Sequence, residues 1–241
     1  MIGIFDIHCH VIPGVDDGAK TIDDSKKMLE IAYADGIRTI IVTPHFAREI
    51  FEHPIDMIDQ KYQEVRKLAK EIGDDLKILL GCEYYAETDM VKVLKDEPRY
   101  TMANTRYVLI EFSDATEFSY IKAIINDLVI NGYIPILAHV ERCECLYRNG
   151  YAEELVALGA WLQVNADSVI GGNGRKAKNF CKKLMKENLL SFIGTDGHDT
   201  KMRRPEMKKC ADYLEKKMGS DYAKKILISN PQKIIDEVGH K

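Results

Sequence analysis

The sequence predicts an α/β fold, a distorted (β/α)7 TIM-like barrel whose active site lies at the C-terminal ends of the strands. Its length of 241 residues is typical of a single barrel domain. Short apolar runs alternate with longer amphipathic stretches, and strands that are separated by helices pair in parallel. The runs are apolar throughout, which indicates burial on both faces of the sheet. No linker rich in Pro, Gly or Ser interrupts the pattern, so residues 1–241 are predicted to form one domain, with an open doubly wound sheet as the alternative.

Strands are predicted where runs rich in Ile, Val and Leu occur. They are Ile2–His8, Thr39–Thr43, Lys77–Glu83, Tyr107–Phe112, Ile134–His139, Trp161–Asn165 and Leu190–Thr195.

The stretches between the strands carry helix signals. Thr-Ile-Asp-Asp at Thr21 resembles a capping box, and the helix that begins there is expected to end at Gly36. A second helix has apolar residues three and four apart on one face, which is typical of a face that packs on the core. These residues are Ile55, Ile58, Tyr62, Val65, Ala69 and Ile72. The other predicted helices are Ser119–Asn131, Glu153–Leu158, Arg175–Asn188 and Pro205–Met218.

Composition excludes several classes of protein. Hydrophobic residues make up 46% of the chain and charged residues 30%, the balance of a globular protein with a core. The formal net charge is −4, whereas nucleic-acid-binding proteins normally present a basic surface, so no nucleic-acid partner is expected. No apolar run approaches the ~20 residues needed to span a bilayer. The run Ile2–Ile7 contains Asp6 and is too short for a signal peptide, so a cytoplasmic protein without a membrane span is expected.

The six cysteines predict reduced, buried thiols. They include no CxxC pair, which argues against a zinc ribbon or a thioredoxin-like site. Cysteine-based tyrosine phosphatases need an arginine at the sixth position after the catalytic cysteine. The residues at that position are Val15, Thr88, Asn149, Tyr151, Glu187 and Lys216. None is arginine, so the residue types exclude that mechanism.

Histidines and carboxylates collect at the predicted strand ends, where a β/α barrel carries its chemistry. Five of the seven histidines lie there, and the other two, His53 and His240, are expected at the surface. In an extended segment residues i and i+2 point the same way, so His8 and His10 can face the mouth of the barrel together. The strand-end candidates are His8, His10, His45, Glu83, Glu111, His139, Asp196 and His198.

Bound cations explain these candidates better than structural ion pairs do. An isolated His-x-His is weak evidence for a metal. However, Glu83 and Glu111 each close an apolar run, where burial of an unpaired carboxylate is costly. A salt bridge could satisfy one of the two. Two glutamates beside several histidines therefore predict a site for divalent cations.

These residues resemble the polymerase-and-histidinol-phosphatase (PHP) superfamily, and most closely its bacterial manganese-dependent protein-tyrosine phosphatases, which are encoded with capsule and exopolysaccharide genes. The resemblance covers essentially the full length, with the strand-end motifs in the expected order. The motifs are Asp6-x-His8-x-His10, Pro-Gly-x-Asp-Asp-Gly at Pro13–Gly18, Thr-Pro-His45, Gly-x-Glu83, Glu111, His139-x-x-Arg142, Asp196-Gly-His198, Arg-Pro at Arg204, and Ser-Asn-Pro near the C-terminus.

The resemblance implies a PHP-type barrel with three divalent ions, in the first place manganese, with iron, magnesium, cobalt or zinc as alternatives. The first ion would be held by His8, His10, Glu83 and Asp196. Glu83 would bridge to a second ion, completed by Glu111 and His139. The third would be held by Asp17, His45 and His198. Asp17 and Glu111 stand where many PHP enzymes of other specificity carry histidine, which points to the tyrosine-phosphatase branch.

The implied reaction is hydrolysis of a phosphate monoester by a hydroxide that bridges two ions, since two ions lower the pKa of the water that they share. Glu83 and Asp196 would be catalytic as ligands of these ions. Arg142 is the first candidate for bidentate contact with the phosphate and Arg204 the second, with a surface salt bridge as the alternative for each.

The resemblance also implies the partner, a phosphotyrosine-bearing protein, namely the tyrosine-rich tail of a bacterial tyrosine autokinase that controls polysaccharide export. Two rival functions stay open: another PHP phosphoesterase, such as a histidinol-phosphate phosphatase, and a non-catalytic metal protein that binds phosphotyrosine. The segment Phe46–Pro54 is the candidate for mobile substrate access, and its Phe46 and Phe51 either flank a tyrosyl ring or pack on the barrel rim.

Overall fold

The chain folds into parallel sheets that are covered by helices, in a computed structural model that describes residues 1, 3–97 and 100–237. The strands are β1 (Ile4–Cys9), β2 (Ile37–Val42), β3 (His45–Phe46), β4 (Lys77–Leu80), β5 (Glu83–Tyr85), β6 (Tyr107–Glu111), β7 (Ile134–Leu137), β8 (Trp161–Asn165) and β9 (Leu190–Gly194). The helices are α1 (Ile22–Ala34), α2 (Ile55–Ile72), α3 (Met90–Asp96), α4 (Phe118–Ile130), α5 (Tyr151–Ala157), α6 (Ala166–Ile170), α7 (Gly174–Lys186), α8 (Lys208–Met218), α9 (Ser220–Lys224) and α10 (Asn230–Asp236).

The named strands pair in parallel, which confirms the predicted α/β class. They form a sheet of order β1-β2-β4 and a sheet of order β3-β5-β6-β7-β8-β9. Backbone hydrogen bonds join β1 to the end of β9: Asp196 N donates to His8 O, and His10 N donates to Gly197 O, each at 2.8 Å. The strands therefore form a barrel-like wall whose C-terminal ends meet at one mouth.

The second predicted strand, Thr39–Thr43, corresponds to β2, whereas the third is broken into two pieces. After β2, Pro44 has no N–H to donate to a ladder, and β3, which was not predicted, follows it. The third was expected as one strand over Lys77–Glu83, but it is interrupted at Gly81 and Cys82. A Cβ on Gly81 would lie 2.9 Å from Met102 Sδ, so the chain passes too close to this neighbour for a larger residue. Beyond this break β5 pairs with β3, which places His45 opposite Glu83.

The six predicted helices are present, and their observed ends lie within about three residues of the predicted ones. Thr21 caps α1 through the predicted capping box, although α1 ends two residues before Gly36. The helix predicted from Pro205 begins only at Lys208, because the carboxylate of Asp35 accepts the backbone N–H of Met207 and of Lys208. Four helices of the described residues were not predicted, namely α3, α6, α9 and α10. No helix in the described ranges has the length and apolar character to cross a membrane.

The core lies on both faces of the strands. Along β6, Val108 and Ile110 belong to the large cluster that packs against the helices, whereas Leu109 belongs to a smaller buried cluster. Because neighbouring side chains of a strand point to opposite faces, the smaller cluster fills the inner face of the wall. Packing on both faces fixes the position of the strand ends. The polar side chains at the mouth project from these fixed ends.

Candidate metal centre

The structure brings the predicted ligands together at the C-terminal mouth of the barrel. They fall into three groups in which one ligand atom from each residue lies within 4.8 Å of the others. The groups are His8, His10, Glu83 and Asp196; His45, Glu83 and Glu111; and His10, Asp17, His45 and His198. The first group matches the set that the family resemblance implies. The third adds His10 to the implied set, and the second contains His45 where the resemblance has His139.

Glu83 lies at the centre of the cluster and is fully buried. Its Oε2 is 3.0 Å from His8 Nε2, 3.2 Å from His10 Nε2 and 3.2 Å from His45 Nδ1. Its Oε1 is 2.9 Å from His139 Nε2, and that nitrogen is also 3.5 Å from Glu111 Oε1. One carboxylate thus contacts four histidines, which is the arrangement expected of a bridging ligand.

Burial and neighbouring charges shift the pKa values of the groups in the cluster. Burial raises the pKa of Glu83, but His8, His10 and His139 outweigh burial and hold this pKa well below its usual range. Burial likewise raises the pKa of Asp196, and the charges of His8 and Arg142 bring it below the ordinary value. Burial lowers the pKa of His45 to about 4, so its ring is neutral at neutral pH and one of its two nitrogens offers a lone pair.

The hydrogen bonds of three histidines direct their Nε2 lone pairs into the cluster. His8 Nδ1 lies 3.2 Å from Gln163 Oε1, an oxygen that also accepts the backbone N–H of His139. His10 Nδ1 lies 2.8 Å from Asp16 Oδ2, and His198 Nδ1 lies 2.9 Å from a backbone carbonyl. These acceptors place the ring proton on Nδ1.

Consequently the Nε2 atoms of His8 and His10 lie 3.1 Å apart beside the carboxylate of Glu83. In the neutral rings that a bound metal requires, these two atoms present lone pairs that repel each other, and the Oε2 atom of Glu83 is buried without a hydrogen bond among the described residues. A divalent cation between these atoms would satisfy all three. The donor set of imidazole and carboxylate groups fits such a cation, and manganese, iron, magnesium and zinc all accept it.

Two of the candidate ligands have strained backbones. His139 has φ +30° and Asp196 has φ +53°, in the left-handed region that non-glycine residues seldom adopt. The backbone N–H of His139 is held by Gln163, and that of Asp196 by the carbonyl of His8. Such strain costs on the order of 1–3 kcal/mol per residue and is concentrated at functional sites. Here it turns two side chains toward the mouth.

The arginines at the rim differ in part from the sequence expectation. Arg142 Nη2 is 2.6 Å from Asp196 Oδ2, so this predicted residue lies at the centre. The guanidinium of Arg204 instead pairs with Glu206 at 2.9 Å. Its neighbour Arg203, which the sequence did not single out, lies 2.7 Å from Asp196 Oδ1. The sequence offers two adjacent arginines before a proline and no signal that separates them.

The sequence also did not identify the residues that orient the ligands. Asp16 accepts hydrogen bonds from the backbone N–H of Gly18 and of His45 in addition to its contact with His10. Asn165 Nδ2 donates to Asp196 Oδ2 at 2.8 Å. The Pro-Gly-x-Asp-Asp-Gly motif contains Asp16 next to the candidate ligand Asp17, and this adjacency is the sequence signal that could have identified it.

Replacing Asp16 with alanine should weaken metal binding without removing a ligand. His10 would lose the acceptor that fixes its tautomer, and the loss of such an outer partner typically lowers metal affinity about 10–100-fold. Metal titration of Asp16→Ala against the parent measures this, with Asp74→Ala, an exposed loop carboxylate, as the matched control. Parental affinity in Asp16→Ala would show that Asp16 does not orient His10.

The proposed access segment Phe46–Pro54 forms a turn at the rim. Phe46 is buried and stacks on Tyr100 at 4.2 Å between centroids, so it belongs to the core. Phe51 stacks on the ring of His45 at 5.3 Å and thus lies beside the cluster. Outside the cluster, His53 is half-buried. His240 lies beyond the described residues.

Comparison with known proteins assigns this chain to a family. Residues 4–236 match the family model described as capsular polysaccharide synthesis, CpsB/CapC. The chain belongs to the CpsB/CapC family. A tyrosine-protein phosphatase CpsB from Streptococcus pneumoniae is 34% identical over 238 residues, which cover 96% of this chain and 98% of the relative.

Solved structures agree with this family assignment. A crystal structure from a study of YwqE from Bacillus subtilis and CpsB from Streptococcus pneumoniae, described as unique metal-dependent tyrosine phosphatases, has a TM-score of 0.88 at 31% identity and covers 97% of this CpsB/CapC chain and 95% of its own. A histidinol phosphate phosphatase from Lactococcus lactis has a TM-score of 0.60 at 20% identity, with 91% and 95% covered. At that identity the second likeness concerns the fold alone, and it supports the barrel-like α/β fold.

Proposed function

We propose that this CpsB/CapC chain is a metal-dependent phosphatase that hydrolyses phosphotyrosine in proteins. One observation carries the proposal. The Nε2 atoms of His8 and His10 converge at 3.1 Å beside the buried Glu83, in a site rimmed by Arg142 and Arg203. Imidazole nitrogens that converge on a buried carboxylate are a ligand set for divalent cations, and arginines at the rim suit a phosphate.

Three groups of ligands support three divalent ions, with manganese as the first choice. The carboxylates of Asp17, Glu83, Glu111 and Asp196 contribute four negative charges, whereas three divalent ions would contribute six positive ones. The centre would then be positive although the whole chain carries −4, and a positive centre attracts a phosphate dianion. When bound, such ions neutralise phosphoryl charge and lower the pKa of water in the site.

The protein groups around the ions position the phosphate. Arg142 and Arg203 reach Asp196 from two sides, with exposed side-chain fractions of 32% and 39%. Both guanidinium groups can therefore turn to phosphoryl oxygens when a substrate arrives. Their positive charge stabilises the charge that develops during phosphoryl transfer. When the arginines turn away, the hydrogen bond from Asn165 still holds the carboxylate of Asp196 in place.

We further propose that the substrate is a phosphotyrosine-bearing tail of a bacterial tyrosine kinase, met in the cytoplasm. The exposed side of Phe51 beside His45 offers a surface for an aryl ring. A tyrosyl leaving group has a pKa of ~10, so it leaves without a strong general acid. The six cysteines are free thiols, as expected in a reducing compartment.

Parallel assays on three substrates test the proposed function. A phosphotyrosyl peptide, histidinol phosphate and a nucleotide phosphodiester are each incubated with protein loaded with Mn²⁺. We expect kcat/KM for the peptide to exceed the values for histidinol phosphate and the phosphodiester by about 100-fold or more. Among the three, only the peptide carries its phosphate on a phenol oxygen, which is a good leaving group, with the aryl ring placed to contact Phe51. Preference for histidinol phosphate would assign the chain to another phosphoesterase activity, and tight peptide binding without hydrolysis would indicate a binding protein.

A further inference from the structure

A cleft of about 480 Å³ opens directly beside the metal centre. Arg142, Asn165 and Asp196 line it where it meets the centre. Its lining also includes Asn173, which precedes α7, and Lys209 in the first turn of α8. A peptide whose phosphotyrosine occupies the centre can therefore extend a neighbouring residue into this cleft.

The lining of the cleft is basic. Five cationic residues face three carboxylates, and two of these carboxylates, Asp196 and Glu206, are paired with arginines. Lys201 and Lys209 are exposed, and their ammonium groups have no carboxylate partner among the residues that the structure describes. The cationic residues are Arg142, Lys201, Arg203, Arg204 and Lys209. Two cations thus remain free to meet an incoming anion.

The N-terminus of α7 adds positive potential to the basic cleft. No side chain caps its first turn, and that turn contains no acidic residue. Its unpaired backbone N–H groups and the helix dipole favour a negative group nearby. Arg175 and Lys176 follow in the first turn, whereas the carboxylate of Asp167 lies against Gly172 just before the helix and offsets part of this potential.

The opposite side of the loop Asp199–Arg204 is less basic. The depression there is lined by Asp24, Asp199 and the candidate ligand Asp17, against Lys20 and Lys201, and Lys201 also lines the basic cleft. An anionic side chain next to the phosphotyrosine would therefore be attracted more strongly to the basic cleft. The two sides together give a bound peptide a direction.

We propose that the basic cleft selects substrates with a second anionic side chain close to the phosphotyrosine, and that Lys201 and Lys209 bind this side chain. The inference rests on the proposed phosphotyrosine phosphatase function and deepens it. The shared chemistry is an anion on the peptide, supplied either by an acidic residue or by a second phosphotyrosine. The two lysines line one cleft from different elements, Lys201 from the loop and Lys209 from α8.

Three synthetic phosphotyrosyl peptides distinguish the sources of the anion. One has glutamate on both flanks, one has glutamine in the same positions, and one has a second phosphotyrosine. We expect kcat/KM for the anionic peptides to exceed that for the glutamine peptide by about threefold to tenfold, since exposed ion pairs are individually weak. The preference should shrink at high salt, because salt screens exposed charges. The larger of the two preferences identifies the source.

Variants then locate the preference in the cleft. In the double variant Lys201→Ala/Lys209→Ala the ratio of anionic to neutral peptide should fall to within about twofold. Lys208→Ala is the matched control, because Lys208 neighbours Lys209 on α8 but pairs with Asp212 at 2.7 Å outside the cleft. We expect the control to keep the parental ratio.

The outcomes separate this inference from the proposed function. A preference that the double variant loses and Lys208→Ala keeps supports the cleft. Equal kcat/KM for all three peptides, or a preference that the double variant retains, overturns the cleft and leaves phosphotyrosine hydrolysis standing. Failure to hydrolyse even the glutamine peptide, with Mn²⁺ bound, overturns the proposed function itself.

Discussion

Replacing Glu83 with alanine is expected to remove ions from two of the three ligand groups and to abolish hydrolysis of phosphotyrosine. Glu83 belongs to two groups, and its carboxylate lies within 3.2 Å of four histidine nitrogens. The third group keeps all its ligands, so one ion should remain. Elemental analysis and kcat measurement of the purified variant give both results, with an expected loss of about 1000-fold or more in kcat.

Two further variants make this result interpretable. Glu83→Gln keeps the size of the side chain and removes its charge, so it should lose metal while the fold persists, as circular dichroism would show. Glu71→Ala changes an exposed glutamate on α2 and serves as the matched control. Parental ion content in an active Glu83→Ala protein would contradict the bridging role.

Replacing Arg142 with alanine is expected to raise KM for phosphotyrosyl peptides strongly while metal content stays unchanged. The guanidinium lies 2.6 Å from Asp196, at the point where the centre opens to the cleft. Hydrogen bonds to charged groups contribute about 1.5–3 kcal/mol, which corresponds to a KM increase of about tenfold to 100-fold. Steady-state kinetics and elemental analysis measure the two effects separately. Arg142→Lys should recover only part of the loss, because lysine lacks the bidentate fork.

Arg203 and Arg204 form a matched pair for the same assay. Arg203→Ala should raise KM, since this side chain contacts Asp196, whereas Arg204→Ala should have little effect because Arg204 pairs with Glu206. Unchanged kinetics in Arg142→Ala would remove that residue from the phosphate site. A larger effect of Arg204→Ala than of Arg203→Ala would show that the loop rearranges when substrate binds.

The fold could be predicted from the sequence because double-sided burial makes each strand a short apolar run. Trp161–Asn165 is a strand within the predicted bounds, and Ile55–Ile72 is a helix as its spacing indicates. The interruption at Gly81 could not be predicted, because the close approach of Met102 depends on the packed neighbours. The late start of α8 likewise depends on Asp35, which is more than 170 positions away in sequence.

The clustering of the candidate ligands could be anticipated because histidine and carboxylate at strand ends are chemically conspicuous. The residues that orient them could not, since Gln163 acts on His8 across 155 positions through one hydrogen bond. The choice between Arg203 and Arg204 depends on a turn in which the carboxylate of Asp199 accepts backbone N–H groups of Lys201 and its successors. Because both residues are arginines, their types do not reveal which of the two this turn directs toward Asp196.

Anomalous diffraction from crystals grown with Mn²⁺ tests the central claim most directly. The convergence of imidazole nitrogens beside Glu83 predicts a manganese peak within coordination distance of His8, His10, Glu83 and Asp196, and a second peak on the other side of the Glu83 carboxylate. Crystals that bind Mn²⁺ only elsewhere, with no anomalous peak in contact with Glu83, would contradict it.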